Sequence, residues 1–137
     1  MRFKTNTYQE KYLTDILDYR GTRLKFMARS GVLNIGENQH RWGISDGICT
    51  QCDVNVRETL EHMMFVCPKY KTERLDILLN LEKELGQVDH DNLWQKFMAS
   101  SLKSKLCMFI GDNNCCDINC DSGDIFDKNC KSLLKAI

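Results

Sequence analysis

The sequence predicts a mainly α-helical fold, a small helical domain built around a Cys-Cys-His-Cys loop. Three observations carry this. Apolar residues recur at helical spacing along most of the chain. A single proline, Pro68, interrupts them. Between the helical runs lies Cys49-x2-Cys52-x9-His62-x4-Cys67. With 137 residues, the chain suffices for one domain with a modest core.

Tyr8, Tyr12, Leu13 and Ile16 place a first helix over 8–17. Asp18 is positioned to cap a second helix over 19–30, with Leu24, Met27 and Ala28 as its apolar stripe and Gly31 as its stop. Gly21 weakens that helix by about 1 kcal/mol. The following glycine- and Asn/Asp-rich segment reads as loop, with one short extended piece over 32–35. A short helix is expected over 58–66. Pro68 suits the first position of the next helix, whose face would be Leu75, Leu78, Leu79, Leu81 and Leu85, with Gly86 as its end. Asp89 or Asp91 can cap a helix running through Leu93, Trp94, Phe97, Met98, Leu102, Leu106, Phe109 and Ile110, ended by Gly111. A polar loop over 112–122 precedes a last helix over 123–136, which would bury Ile125, Phe126, Cys130, Leu133 and Leu134. We read 1–111 as the helical domain, with the metal loop over 43–74. Residues 112–137 form an acidic loop and an amphipathic helix packed on that domain.

The opening MRFKTNTYQEKY lacks an apolar signal core, and no window reaches the length of a membrane span. An intracellular protein, nuclear or cytoplasmic, with reduced cysteines and no membrane association is expected. Net charge is zero but uneven. Residues 1–48 carry eight Lys/Arg against five Asp/Glu, a balance of +3, and 112–137 carry three against five, a balance of −2.

Zinc takes thiolate and imidazole ligands that converge tetrahedrally. A Cys-x2-Cys knuckle aims two sulfurs at one point, so Cys49 and Cys52 need His62 and Cys67 to complete the set. On an α-helix a residue five positions after His62 lies about 140° round from it. Pro68 removes the conflict, because the residue before a proline is pushed to extended backbone and Cys67 can leave the helix. Glu58, four residues before His62, is placed to accept a hydrogen bond from the free imidazole nitrogen, or simply to favour the helix N-terminus. Four protein ligands leave no open position, so the zinc site reads as structural and the chain as no enzyme. His40 and His90 lie in polar stretches with no evident partner.

The tail cysteines Cys107, Cys115, Cys116, Cys120 and Cys130 have no metal-site spacing and read as thiols. The run Asp117-x-Asn119-x-Asp121 lacks the glycine and glutamate of a calcium loop, since Ser122 and Lys128 stand there.

The stretch RETLEHMMFVCPKYKTER, with Glu58-Thr59 ahead of His62, then Cys67-Pro68-x-Tyr70 and Arg74, resembles the zinc-binding region that follows the polymerase domain in non-LTR retrotransposon reverse transcriptases. RGTRLKFMARSGVLNIGENQHRW resembles that family's basic helix and following loop. The likeness covers about 19–75. It implies zinc at Cys49, Cys52, His62 and Cys67, and contact with RNA or DNA. The chain has no Tyr/Phe-x-Asp-Asp polymerase motif and looks like a fragment or stand-alone descendant. Candidate nucleic-acid contacts are Arg20, Arg23, Lys25, Arg29 and Arg41 upstream, and Lys69, Lys71 and Arg74 downstream, with Trp42 and Tyr70 as aromatics near each group. The alternative is a zinc-stabilised scaffold that engages a protein partner through its C-terminal helices, or a remnant without function.

Overall fold

The computed structural model describes residues 17–88, 92–111 and 120–137, the side chains of 120–122 excepted. The helix expected over 8–17 (all but Leu17), the caps expected at Asp89 or Asp91, His90, the loop over 112–119 and the thiols of Cys115, Cys116 and Cys120 lie outside what is described. Helix α1 spans Tyr19–Ser30, α2 Gly36–Arg41, α3 Lys71–Val88, α4 Leu93–Ala99, α5 Leu102–Ile110 and α6 Cys120–Ala136. A π-turn at His62–Val66 and a 3-10 turn at Pro68–Tyr70 lead into α3. The described residues contain no strand, only one antiparallel bridge between Ile48 and Arg57. No described helix is long and apolar enough to cross a membrane.

Asp18 caps α1 as the sequence predicts, its Oδ1 accepting the Gly21 N–H at 3.0 Å. The chain leaves α1 through Gly31 in the left-handed region, φ 71°, and the Val32 N–H reaches back to the Met27 carbonyl at 3.0 Å. Gly21 has a packing reason that its helix propensity hides. A Cβ there would strike the Asp18 carboxylate and stand 2.8 Å from the Lys131 Cβ, so glycine is what lets α1 close on α6.

Helix α6 is central, packing on α3, α1 and α5. Phe126, Cys130, Leu133 and Leu134 are buried there, as the apolar spacing requires. Buried Asn129 is satisfied within the same contact. Its side chain donates to the Ile125 carbonyl at 2.8 Å and accepts from Asn80 of α3 at 3.0 Å.

Four expectations change. The extended piece over 32–35 is irregular, and α2 follows it where loop was expected. Helix α3 continues past Gly86 to Val88, with Ile77, Leu78, Leu81 and Leu85 facing the core while Leu75 and Leu79 point to solvent. The single helix expected over 93–110 is two. Ser100 takes extended backbone and Ser101 caps α5, its Oγ accepting the Ser104 N–H at 3.3 Å. The last helix begins three residues earlier than expected, at Cys120. Met98 and Leu102 are exposed, while Phe97, Leu106, Phe109, Ile110, Phe126, Leu133 and Leu134 of α4, α5 and α6 are buried in this chain's own core. Phe97 is its hinge, with ring centroids 5.5 Å from Phe126, 6.0 Å from Trp94, and 6.2 Å from both Phe65 and Phe109. Phe65 belongs to the π-turn, so this cluster fastens the metal loop to the helices.

Candidate metal centre

The knuckle is shaped by a short return of the backbone. The Cys49 N–H donates to the Val56 carbonyl at 2.8 Å, and the Glu58 N–H to the Gly47 carbonyl at 2.9 Å. Asn55 takes the left-handed conformation at the tip, φ 58°, a region asparagine tolerates well. The segment carrying His62 then starts helically at Leu60. Thr59 caps it, its Oγ1 accepting the His62 N–H at 3.1 Å.

At His62 the helix widens. The Cys67 N–H donates to the His62 carbonyl at 2.6 Å, a bond that closes on the fifth residue rather than the fourth. Residues five apart therefore return to the same side, where an α-helix would separate them. Cys67 itself has φ −56° and ψ 122°, the extended backbone that Pro68 imposes. The proline accounts for the end of the helix, and the π-turn supplies the rest of the approach.

The four side chains converge. Sγ of Cys49, Cys52 and Cys67 and a ring nitrogen of His62 all lie within 4.8 Å of one another, a cluster that could hold a metal ion. Cys49 Sγ is 3.9 Å from Cys67 Sγ, and Cys52 Sγ is 3.5 Å from His62 Nε2. A tetrahedron with zinc's bond lengths has S···S edges of about 3.8 Å and S···N edges of about 3.6 Å. The donor set and its spacing suit zinc. Cys49, His62 and Cys67 are buried, and Cys52 is half-exposed, which leaves an entry path on the knuckle side. Burial, followed by the neighbouring thiols and Glu58, pushes the Cys49 thiol up to about 12. Burial also holds His62 below its ordinary value, so its imidazole is neutral near pH 7, the form that ligates.

Glu58 supports the site by a different route from the one expected. The helix starts only at Leu60, so the four-residue spacing from Glu58 to His62 does not put both on one helical face. Instead Glu58 Oε2 lies 3.4 Å from Cys49 Sγ, while Oε1 accepts the Gly36 N–H at 2.7 Å. With the Glu37 N–H donating to the Glu58 carbonyl at 3.0 Å, this residue caps α2 from 22 positions away. Gly36 makes that approach possible, because a Cβ there would come within 2.6 Å of the Gly47 carbonyl and 2.9 Å of the Glu58 Cβ.

The basic residues part company. Arg20, Arg23, Arg41, Lys69 and Lys71 are exposed, and Arg29 is half-buried at a cleft of about 260 Å³ between α1, α2 and Leu60–Glu61. Arg41 also donates to the Gly31 carbonyl, pinning α2 to the end of α1. Lys25 is a correction. It is 1% exposed and its Nζ lies 2.6 Å from Asp127 of α6, so it holds two helices together and presents nothing to a phosphate. Arg74 is another, since its guanidinium bonds the backbone of the metal loop. Of the two aromatics, Trp42 is exposed while Tyr70 packs against the core.

Sequence reasoning passed over Tyr19 and Phe26, which are 76% and 48% exposed. The signal was present. Leu24, Met27 and Ala28 mark the apolar stripe of α1, and Tyr19 and Phe26 fall about 130–150° round from its centre at 100° per residue. Comparison of the chain with protein-family models, with curated proteins and with solved structures finds no match. The resemblance to the retrotransposon zinc-binding region therefore rests only on the residues that carry it.

Proposed function

We propose that this chain is a zinc-stabilised module that binds RNA or DNA through its phosphates, without base-specific readout and without catalysis of its own. The observation that carries the zinc reading is the convergence of Cys49, Cys52, His62 and Cys67, whose ligand atoms all lie within 4.8 Å of one another. Four protein ligands close the coordination sphere, so the ion acts as a clasp. It ties the knuckle to the π-turn, and Phe65 ties the π-turn to the core.

The nucleic-acid reading is supported by the outward face of α1. Arg20 and Arg23 stand there beside exposed Tyr19 and Phe26, and α1 contains no acidic residue. The nearest capping acid, Asp18, is paired with Lys135 at 2.9 Å. Guanidinium groups beside free aromatic rings grip phosphates and stack bases. A protein-docking scaffold is the second reading, favoured by the exposed pair Leu75 and Leu79 on α3.

Native mass spectrometry tests the metal, with one zinc per chain expected and none in His62→Ala. Fluorescence anisotropy of zinc-loaded protein with single strands and duplexes tests the partner. Binding that weakens as salt rises, and weakens again in Arg20→Ala/Arg23→Ala, is the expected result. No binding at low salt refutes the nucleic-acid reading. Concentration-dependent mass in light scattering, lost on Leu75→Lys/Leu79→Lys, would instead favour the scaffold.

A further inference from the structure

We propose that Arg74 is a positioning residue for the metal, holding Cys67 in register with the other three ligands. This inference rests on the reading of the Cys-Cys-His-Cys cluster as a metal site. It does not depend on nucleic-acid binding.

Cys67 stands at the end of the π-turn, held there by the bond from its N–H to the His62 carbonyl at 2.6 Å. It follows the last residue of the π-turn and precedes a proline, so no regular helix fixes its backbone. The end of any helical segment leaves carbonyls without intrahelical donors, and buried ones need a partner. The Cys67 carbonyl accepts the Tyr70 N–H at a long 3.3 Å, and Arg74 adds shorter bonds from α3. Its Nε donates to the Met64 carbonyl at 2.8 Å, and its Nη2 to the Cys67 carbonyl at 2.5 Å. One planar group thus bonds the backbone of the ligand itself and that of a residue within the turn before it. Rotation of the Cys67 peptide away from the site would break the second bond while the first holds the turn in place.

The side chain reaches back from the first two turns of α3, a helix anchored on α6 through Leu81, Leu85 and the Asn80–Asn129 bond. The position of Cys67 is therefore referred to the core. Guanidinium chemistry fits the task, because two donors in a fixed fork can meet two carbonyls at once and a lysine ammonium has no such fork. The charge fits as well. Three thiolates would exceed the charge of a divalent ion by one, and Arg74 brings a cation to the backbone of Cys67.

Full-length wild type, Arg74→Met and Arg74→Lys are each titrated with zinc against a chromophoric chelator, and with cobalt(II) while the thiolate-to-metal absorption is recorded. Removing an outer partner of a ligand typically lowers metal affinity about 10–100-fold. Both variants are expected to lose affinity in that range, Arg74→Lys included, because it keeps the charge and lacks the fork. Their cobalt complexes should show weakened thiolate absorption, as Cys67 is no longer held in place. Leu81→Ala on the same helix is the control. It should lower stability while the folded fraction keeps the wild-type cobalt spectrum. Wild-type zinc affinity and spectrum in a folded Arg74→Met or Arg74→Lys overturn the assignment. A wild type that binds no metal overturns the site itself, and a wild type that binds one ion beside unaffected variants overturns Arg74 alone.

Discussion

Two buried lysines share one carboxylate between α1 and α6, and this arrangement makes a directional prediction. Lys25 Nζ lies 2.6 Å from Asp127 Oδ1, and Lys131 Nζ 2.9 Å from Oδ2. Both lysine side chains are almost fully buried, at 2% and 1% exposed, while Asp127 is 22% exposed. Removing one member of a buried ion pair costs about 3–5 kcal/mol, because it leaves a charge uncompensated. Asp127→Ala removes the carboxylate that both ammonium groups contact, and because Lys131 also faces Asp18 the loss should lie near the lower end of that range. For a domain of this size the loss corresponds to a fall in Tm of about 10 °C or more. Lys25→Met leaves Asp127 bonded to Lys131 and puts an apolar chain of similar volume in an almost dry site. Such replacements are often close to neutral. The predicted order of destabilisation is therefore Asp127→Ala well above Lys25→Met. Urea unfolding of the zinc-loaded proteins, followed by far-ultraviolet circular dichroism, measures it. Equal losses, or a larger loss in Lys25→Met, would refute the account of Asp127 as the common partner. Lys25→Met should also leave nucleic-acid affinity unchanged, in contrast to the change at Arg23.

Asp18→Ala removes the α1 cap and should cost about 1 kcal/mol in the same unfolding assay. Burial raises the Asp18 carboxyl, but the Lys135 and Gly21 hydrogen bonds and the Lys135 and Lys131 charges outweigh it and hold it below its ordinary value. A lowered carboxylate stabilises above its unfolded value near about 3.9, and that stabilisation is lost as pH falls through the folded value. The stability gap between wild type and Asp18→Asn should thus be constant from pH 6 to 8 and shrink below about pH 4. Leu81→Ala should cost about 2–5 kcal/mol, whereas Leu75→Ala on the same helix should stay within about 0.5 kcal/mol. Chelation of the metal should lower the unfolding midpoint of wild type and leave that of His62→Ala unmoved, as thermal scans with and without chelator would show.

What the sequence made legible was local. Asp18 and Gly31 bound α1 because a cap and a left-handed stop act within a few residues. The four metal ligands stood out because thiols and an imidazole at such spacing have few other uses. The features it hid depend on distant partners. Lys25 was read as surface because buried lysines are rare, and its partner lies 102 residues away. Leu75 and Leu79 joined the apolar set by residue type, though at 100° per residue they stand about 100–150° round from the centre of the face that packs. The break between α4 and α5 was invisible for another reason. Phe97, Leu106 and Phe109 all reach one core, so the apolar rhythm runs on across Ser100 and Ser101. At Cys67 the sequence revealed the proline but not the widened turn, which is set by backbone bonding rather than by residue type.

The topology also sets an order of assembly. The metal ligands Cys49 and Cys67 are 18 residues apart, whereas the pairs joining α1 to α6 are 102 and 117 apart. Closing the shorter loop costs less chain entropy, and all four ligands, together with Arg74 in the first turns of α3, precede α6 in the chain. During synthesis the clasp can therefore capture its ion while α6, the helix on which the core depends, has still to emerge. Refolding should show the same sequence, with cobalt–thiolate absorption rising before the α1–α6 amides become protected from exchange. Simultaneous appearance of the two signals would mean that the clasp forms only on a finished core.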